Sequence, residues 1–160
     1  MKNLLFILIL FGLQGYGQKT LEIYNFSTQS VRIYDIVTSA SGSYPEFHSY
    51  PSGLIIVPPS GSYTLVNTSS VNLFPLYSPS SSQYIHAWYR LDSPTSSTTM
   101  SSPAAYLLSS NQFFDKMVFA IDTGNYIIGT ANPSISGSGW NALYDVYTQG
   151  TTVIHTIVFF

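Results

Sequence analysis

Side chains that could support acid–base catalysis or bind a metal are few in this sequence and widely separated. The three histidines are His48, His86 and His155, and no two of them have a spacing typical of metal ligands. Only two glutamates occur, Glu22 and Glu46, so a glycosidase pair would have to use aspartates that the sequence does not bring together. We therefore predict no metal site and no cofactor.

The sequence also lacks the motifs that position a catalytic nucleophile. It has no cysteine, which removes thiol catalysis, disulfides and cysteine-based zinc sites. Serines are abundant, but none stands in a Gly-x-Ser-x-Gly elbow. The Gly-rich stretch 136–139 is not followed by a helical pattern that could complete a phosphate-binding loop. We therefore predict that the protein is not an enzyme.

One triplet, Asp122-Thr123-Gly124, follows an apolar run. It resembles the active-site triplet of retroviral-type aspartic proteases, in which two aspartates share a proton. That family has a small residue next, where this chain has Asn125, and its second signature comes much further downstream than residues 127–129. A strand–turn–strand accounts for the same residues, so we predict a hairpin turn here.

Aromatic side chains are the most plentiful candidates for ligand contacts, with 13 Tyr, 10 Phe and two Trp in the chain. Flat rings can cover the apolar faces of sugars as they cover other apolar surfaces. Trp140 lies in a Gly-rich region and is the strongest candidate. The sequence predicts a ligand-binding group of Trp140, Tyr144, Tyr147 and Trp88.

The last ten residues, 151–160, are strongly apolar and end in two phenylalanines. A terminal aromatic residue resembles the last strand of outer-membrane β-barrels, and a small barrel of that kind is one alternative for this chain. Apolar residues fall on both faces of the segment, which favours a terminal strand covered on two sides. We predict partner-binding residues at Val153, Ile157, Phe159 and Phe160.

Charge is unusually scarce. Lys, Arg, Asp and Glu make up 8% of the residues, against roughly a quarter in typical soluble domains. The net charge is −2 and no basic cluster occurs, so we do not expect nucleic acid as a partner. A surface that is poor in charge and rich in aromatic rings suits a protein that packs against others.

The N-terminus has the layout of a secretory signal peptide. Lys2 precedes an apolar run over 4–13, and the small residues Gly15 and Gly17 follow. The run is too short to span a bilayer, and no second long apolar run follows, so we predict no transmembrane helix. We predict a signal peptide over 1–17, of a kind that resembles bacterial signals, and one domain over 18–160.

The elements that must position these residues are short strands. Alternating or apolar runs bounded by turn residues predict about nine or ten strands, and no segment has a sustained helical period. This pattern predicts an all-β, antiparallel β-sandwich of jelly-roll or immunoglobulin-like type. The predicted strands cover residues 20–26, 31–37, 54–57, 62–66, 71–77, 84–91, 116–121, 126–128, 142–148 and 151–160.

These features favour a non-catalytic function. We expect a structural or accessory subunit of a bacterial envelope or cell-surface assembly, whose partners are other envelope or surface proteins or further copies of itself. A secreted carbohydrate-binding module, with glycans as partners, is the alternative. We expect the exported protein in the periplasm, at the outer membrane or outside the cell.

The signal peptide can be tested directly. We expect the protein recovered from cells that export it to begin at Gln18, because cleavage should follow Gly17. Intact mass and N-terminal sequencing measure the start of the chain. A mature protein that still contains residues 4–13 would contradict the prediction.

Overall fold

The computed structural model describes residues 18–51, 54–67, 72–81 and 83–160 of the chain. Within these residues the protein is all-β and has two sheets, neither of which closes on itself. The all-β prediction is confirmed, and the two sheets are consistent with the predicted sandwich. The predicted signal peptide, residues 1–17, lies outside the described residues. Across the four ranges, no helix combines the length and apolar character that a membrane crossing requires.

The described residues form twelve strands and one short helix. In chain order these elements are β1 (Lys19–Asn25), β2 (Val31–Ser39), β3 (Glu46–His48), β4 (Ile55–Val57), β5 (Gly61–Val66), β6 (Ala87–Ser93), β7 (Ser96–Ser101), α1 (Ser102–Leu107), β8 (Phe113–Ile121), β9 (Gly124–Gly129), β10 (Ser134–Gly137), β11 (Trp140–Gln149) and β12 (Thr152–Phe159).

The first sheet has five strands in the order β10-β11-β12-β1-β5. Its first and last strands in the chain are neighbours: β1 runs parallel to β12, with Lys19 opposite Val153 and Asn25 opposite Phe159. All its other pairs are antiparallel. Because side chains alternate across a sheet, Leu21 and Ile23 of β1 point into the core and are fully buried.

The second sheet has the order β7-β6-β3-β2-β8-β9, with β4 also paired to β2. The three-residue strands β3 and β4 pair with opposite ends of β2, while β8 pairs along its other side. A β-bulge interrupts β2 between Ile33 and Asp35. Bulges re-aim side chains, and this one lies in the strand that brings Asp35 beside His48 of β3.

The two sheets share one apolar core, in which aromatic rings from both sheets make edge-to-face contacts. Phe119 of β8 lies 5.0 Å from Phe159 of β12 and 5.9 Å from Trp140 of β11, measured between ring centroids. Such pairs add about 0.5–1.5 kcal/mol each to the free energy gained by burying the rings. The core therefore fixes the five-stranded sheet against the β8 side of the second sheet.

Strand number and strand positions differ from the prediction in an instructive way. β7 and β10 lie in Ser-, Thr- and Gly-rich stretches that the pattern assigned to loops. Both are edge strands with mostly exposed side chains, so backbone pairing forms them without an apolar pattern. In contrast, residues 72–77 of the predicted strand 71–77 form no strand. They bury Phe74 and Leu76 in the core from an irregular segment instead.

The predicted hairpin at Asp122 is confirmed, because Ile121 pairs with Gly124 across a two-residue turn. Asp122 has a φ of 58°, a left-handed conformation that Asp and Asn tolerate better than most residues. The short connection through Gln29 and Ser30 joins the two sheets, since β1 and β2 belong to different sheets.

Asn25 holds this crossing between the sheets. Its side chain is fully buried and donates to the carbonyl oxygens of Gln29 at 2.7 Å, Val57 at 2.9 Å and Pro58 at 3.1 Å. Its Oδ1 accepts hydrogen bonds from the backbone and hydroxyl of Ser27. The amide thus ties the connection that follows β1 to the end of β4.

We expect Asn25→Ala to lower the free energy of unfolding by about 2–4 kcal/mol, because it removes every hydrogen bond that the buried amide makes with Gln29, Val57, Pro58 and Ser27. Urea unfolding followed by fluorescence measures the change. The exposed Asn141 of β11 provides the matched control, and Asn141→Ala should stay within about 0.5 kcal/mol of the wild type. A loss below about 0.5 kcal/mol in Asn25→Ala would contradict this role.

Candidate functional site

The two tryptophans of the predicted ligand group lie in the core. Trp140 is 2% exposed and Trp88 is fully buried. The Trp88 indole N–H donates to the Leu76 carbonyl oxygen at 2.7 Å. Neither ring reaches the surface in this structure, so neither tryptophan contributes to an exposed binding surface.

The burial of Trp140 follows from the hairpin that joins β10 and β11. Its ring lies against Gly137, where an added Cβ would come within 2.2 Å of the indole. The ring also packs edge-to-face on Tyr126, with centroids 4.9 Å apart. Gly137, which gave this region the composition of an open loop, therefore leaves the space in which the Trp140 ring packs into the core.

The other two predicted ligand residues are separated by the pleat of β11. Tyr144 points inwards and is half-buried, and its hydroxyl forms a hydrogen bond with His155 Nδ1 at 2.9 Å, whereas Tyr147 is 45% exposed. Burial and the charge of Lys19 lower the pKa of His155 to about 4, so it is neutral at pH 7 and can accept this bond. Burial, with the charges of Asp145 and Asp115, raises the pKa of Tyr144 to about 12.

The predicted partner-binding residues divide between core and surface. Ile157 and Phe159 are fully buried, and Val153 is partly buried. Phe160 is 49% exposed at the end of the chain. Of these four, Phe160 has the most surface available to a partner in this structure.

A group of exposed and partly exposed apolar side chains lies on the solvent side of the five-stranded sheet. We call this surface the outer face, and it comprises Glu22, Tyr24, Phe26, Leu143, Asp145, Tyr147 and Val158. The register aligns Leu143 with Val158, and Val158 with Tyr24, so three apolar side chains cross three adjacent strands. Neighbouring strands lie about 4.8 Å apart, so the row is about 10 Å long.

Aromatic side chains lie on both sides of this row, further along the strands. Phe26 is 65% exposed, and its ring is within 2° of parallel to Tyr24, with centroids 6.1 Å apart. Tyr147 lies on the other side of the row.

Two carboxylates lie within this apolar surface. Asp145 and Glu22 are both paired with Thr156 in the register, and each therefore lies one strand away from it on the outer face. The Tyr24 hydroxyl donates to Glu22 Oε2 at 2.9 Å, and this hydrogen bond is the main cause that raises the pKa of Tyr24. The outer face thus combines large apolar groups with negative charge.

A separate cluster on the second sheet places one histidine between two acids. His48 Nδ1 lies 2.8 Å from Asp35 Oδ2, and His48 Nε2 lies 3.1 Å from Glu46 Oε2. Burial lowers the pKa of His48, but the hydrogen bonds and charges of the two carboxylates outweigh burial and raise it above its ordinary value. Both ring nitrogens are engaged, so the arrangement acts as a charged clamp between β2 and β3.

This clamp does not have the geometry of a metal site, because the two carboxylates flank the ring from opposite nitrogens. In the described part of the chain, no group of three or more His, Asp or Glu side chains is placed to hold a metal ion. Comparison with protein-family models, curated proteins and solved structures finds no match for this chain.

Sequence reasoning missed most of the outer face. The alternation of Leu21 and Ile23 with Glu22 and Tyr24 indicates that β1 has two different faces. The pairing of β1 with β12 decides which residues join Tyr24, and these partners lie more than 100 positions away in the chain. The exposure of Leu143 carries no signal in the sequence, because the same strand also contains the buried Trp140 and Ala142.

The His48 clamp predicts a specific pH dependence. Because the folded-state pKa is above the unfolded value of about 6.5, the clamp's contribution to stability is fully present below pH 6.5 and is lost as the pH rises through the folded pKa. We expect the difference in unfolding free energy between wild type and His48→Gln to be larger at pH 6 than at pH 9. Urea unfolding at both pH values measures it.

The exposed His86 serves as the control, and His86→Gln should change the free energy of unfolding by the same amount at pH 6 and pH 9. A His48→Gln penalty that is equal at both pH values, or larger at pH 9, would show that His48 is not held in its charged form.

Proposed function

We propose that this protein is a non-catalytic accessory or structural subunit of a bacterial envelope or cell-surface assembly, and that it binds a partner protein through the outer face. The observation that carries the proposal is the row Leu143, Val158 and Tyr24, which lies on the solvent side of the sheet. Leu143 and Tyr147, on either side of Asp145, are each nearly half exposed.

The outer face departs from what an antiparallel sheet usually shows to water. Such sheets commonly bury one apolar face and present polar side chains on the other. Here the inner residues of β1 and β12 fill the core, and yet the solvent side also carries leucine, valine and aromatic side chains. Contiguous exposed apolar groups with a polar border mark interaction sites in soluble proteins.

The charges of the outer face indicate the chemistry of the partner. Its ionisable acids are Glu22 and Asp145, whereas the described basic side chains lie elsewhere: Lys19 is buried on the inner side, and Arg32, Arg90 and Lys116 belong to the second sheet. Complementary potentials favour a partner that presents an apolar surface bordered by Arg or Lys. A flat face suits a folded protein surface as its partner.

Export and compartment remain part of this proposal, supported by the charged, apolar and small-residue order of positions 2–17. The finer fold assignment, jelly-roll or immunoglobulin-like, is likewise a proposal. Its support is the pair of antiparallel-rich sheets that enclose one core.

The proposal predicts that one charge on the outer face separates the protein from its partner. We expect wild-type protein, extracted from its own cells with mild detergent, to elute in a complex that contains a reproducible second protein. Leu143→Asp should release it as a monomer, because a carboxylate in the centre of a desolvated apolar interface costs at least about 2 kcal/mol, or more than tenfold in affinity. Native mass and mass spectrometry of the fractions measure this.

Ile127 of β9 is the matched control, since it is 49% exposed against 48% for Leu143 but lies on the second sheet. Ile127→Asp should leave the complex intact, and circular dichroism should show both variants folded. If wild type elutes as a monomer, or if Ile127→Asp disrupts the complex while Leu143→Asp does not, the outer face is not the docking surface.

A further inference from the structure

A cavity of about 310 Å³ lies where β2 ends and β8 begins. Ser39 and Phe113 are paired across these strands, so the cavity belongs to the second sheet and is separate from the outer face. Its volume is at the lower end of the range for small-molecule sites, about 300–1,000 Å³. The side chains and backbone that matter for its chemistry are Ser39, Gly42, Phe113, Phe114, Asp115 and Thr130.

Aromatic rings supply the apolar wall of this cavity. Phe113 is 39% exposed, and the Lys19 ammonium lies over its ring, 4.0 Å from the centroid. The same ammonium donates hydrogen bonds to the carbonyl oxygens of Ser110 and Gln112, at 3.1 and 2.7 Å. Phe114 is buried and closes the floor. One ring surface of Phe113 is therefore fixed by the protein, and the rest of the ring is available to a ligand.

Asp115 supplies hydrogen-bond acceptors at the cavity wall. Its Oδ1 accepts from the Thr130 hydroxyl at 3.2 Å, and its Oδ2 lies 3.5 Å from the Lys116 ammonium. An ionised carboxylate has about four acceptor positions, so two contacts leave capacity for hydroxyl donors. The Asp115 side chain is 21% exposed, which keeps it within reach of a small ligand.

The opposite rim is a rigid turn. Ala40 and Ser43 exchange backbone hydrogen bonds at 3.1 and 3.3 Å, and Ser39 Oγ accepts from the Gly42 N–H at 2.9 Å. Gly42 has a φ of 78°, which the turn requires and which glycine adopts without strain. The rim therefore does not need to reorganise before a ligand enters.

We propose that this cavity binds one neutral hexopyranose unit, which packs an apolar ring face on Phe113 and donates hydroxyl hydrogens to Asp115. The charges around the cavity favour a neutral ligand. Asp115 carries the one charge among the lining residues, and the Lys116 ammonium, 3.5 Å from its Oδ2, offsets that charge, so the cavity wall has no net charge to attract a cation or an anion. A sugar ring combines one apolar face with a border of hydroxyl groups, which matches a wall that has one exposed ring and one carboxylate.

The probes are the methyl glycosides of glucose, galactose and mannose, added to the isotope-labelled exported protein. We expect at least one of them to bind with a Kd on the order of 1 mM and to shift the amide resonances of Gly42, Asp115 and Thr130. Asp115→Asn keeps the size and shape of the side chain, and Phe113→Leu keeps an apolar side chain but removes the aromatic ring. Each should weaken binding by about tenfold, since one charge-assisted hydrogen bond or one ring contact is lost.

Phe26→Leu, on the outer face, is the matched aromatic control and should leave glycoside binding unchanged. Methyl glucuronide and glucosamine test the charge argument, and both should bind more weakly than the neutral glycosides. The proposal is overturned if none of the glycosides shifts these amides, if binding survives both cavity variants, or if a charged sugar binds more tightly.

Discussion

The position of β1 is the constraint on which the rest of the structure depends. This first strand pairs in parallel with β12 and antiparallel with β5, so it lies inside the five-stranded sheet. Its inward residues Leu21 and Ile23 complete the core, and its last residue, Asn25, ties the crossings to the second sheet. Its outward residues help to form the outer face. The core and the outer face therefore both depend on the seven residues of this strand.

The scarcity of charge has a structural counterpart. Several charged or ionisable groups of the described chain are used inside the fold: Lys19 caps two carbonyl oxygens, and His48 bridges two acids. Burial lowers the pKa of Lys19 to about 8. With these groups committed, the outer face presents mainly rings, aliphatic side chains and two carboxylates. Such a surface gains free energy when a complementary protein removes it from water.

Local pattern was enough to predict strands rich in buried apolar residues, such as β1, β2 and β8, and the turn at Asp122. It was not enough for β7 and β10, because edge strands are held by backbone pairing and need no apolar side chains. Trp140 illustrates the limit for the binding residues. Its burial depends on Gly137 across a hairpin, and the outer face depends on a register between the two ends of the chain. Both are tertiary facts that no short window of sequence contains.

We propose that the outer face, and not another exposed apolar position, contacts a partner protein in the cell. The most direct measurement replaces Tyr147 with the photoreactive amino acid p-benzoylphenylalanine, irradiates intact cells and looks for a covalent adduct of discrete mass. Ile127 receives the same replacement for comparison. We expect the photoreactive residue at position 147 to form an adduct with one envelope protein, and the same residue at position 127 to form none. No adduct from position 147, or the same adduct from both positions, would contradict it.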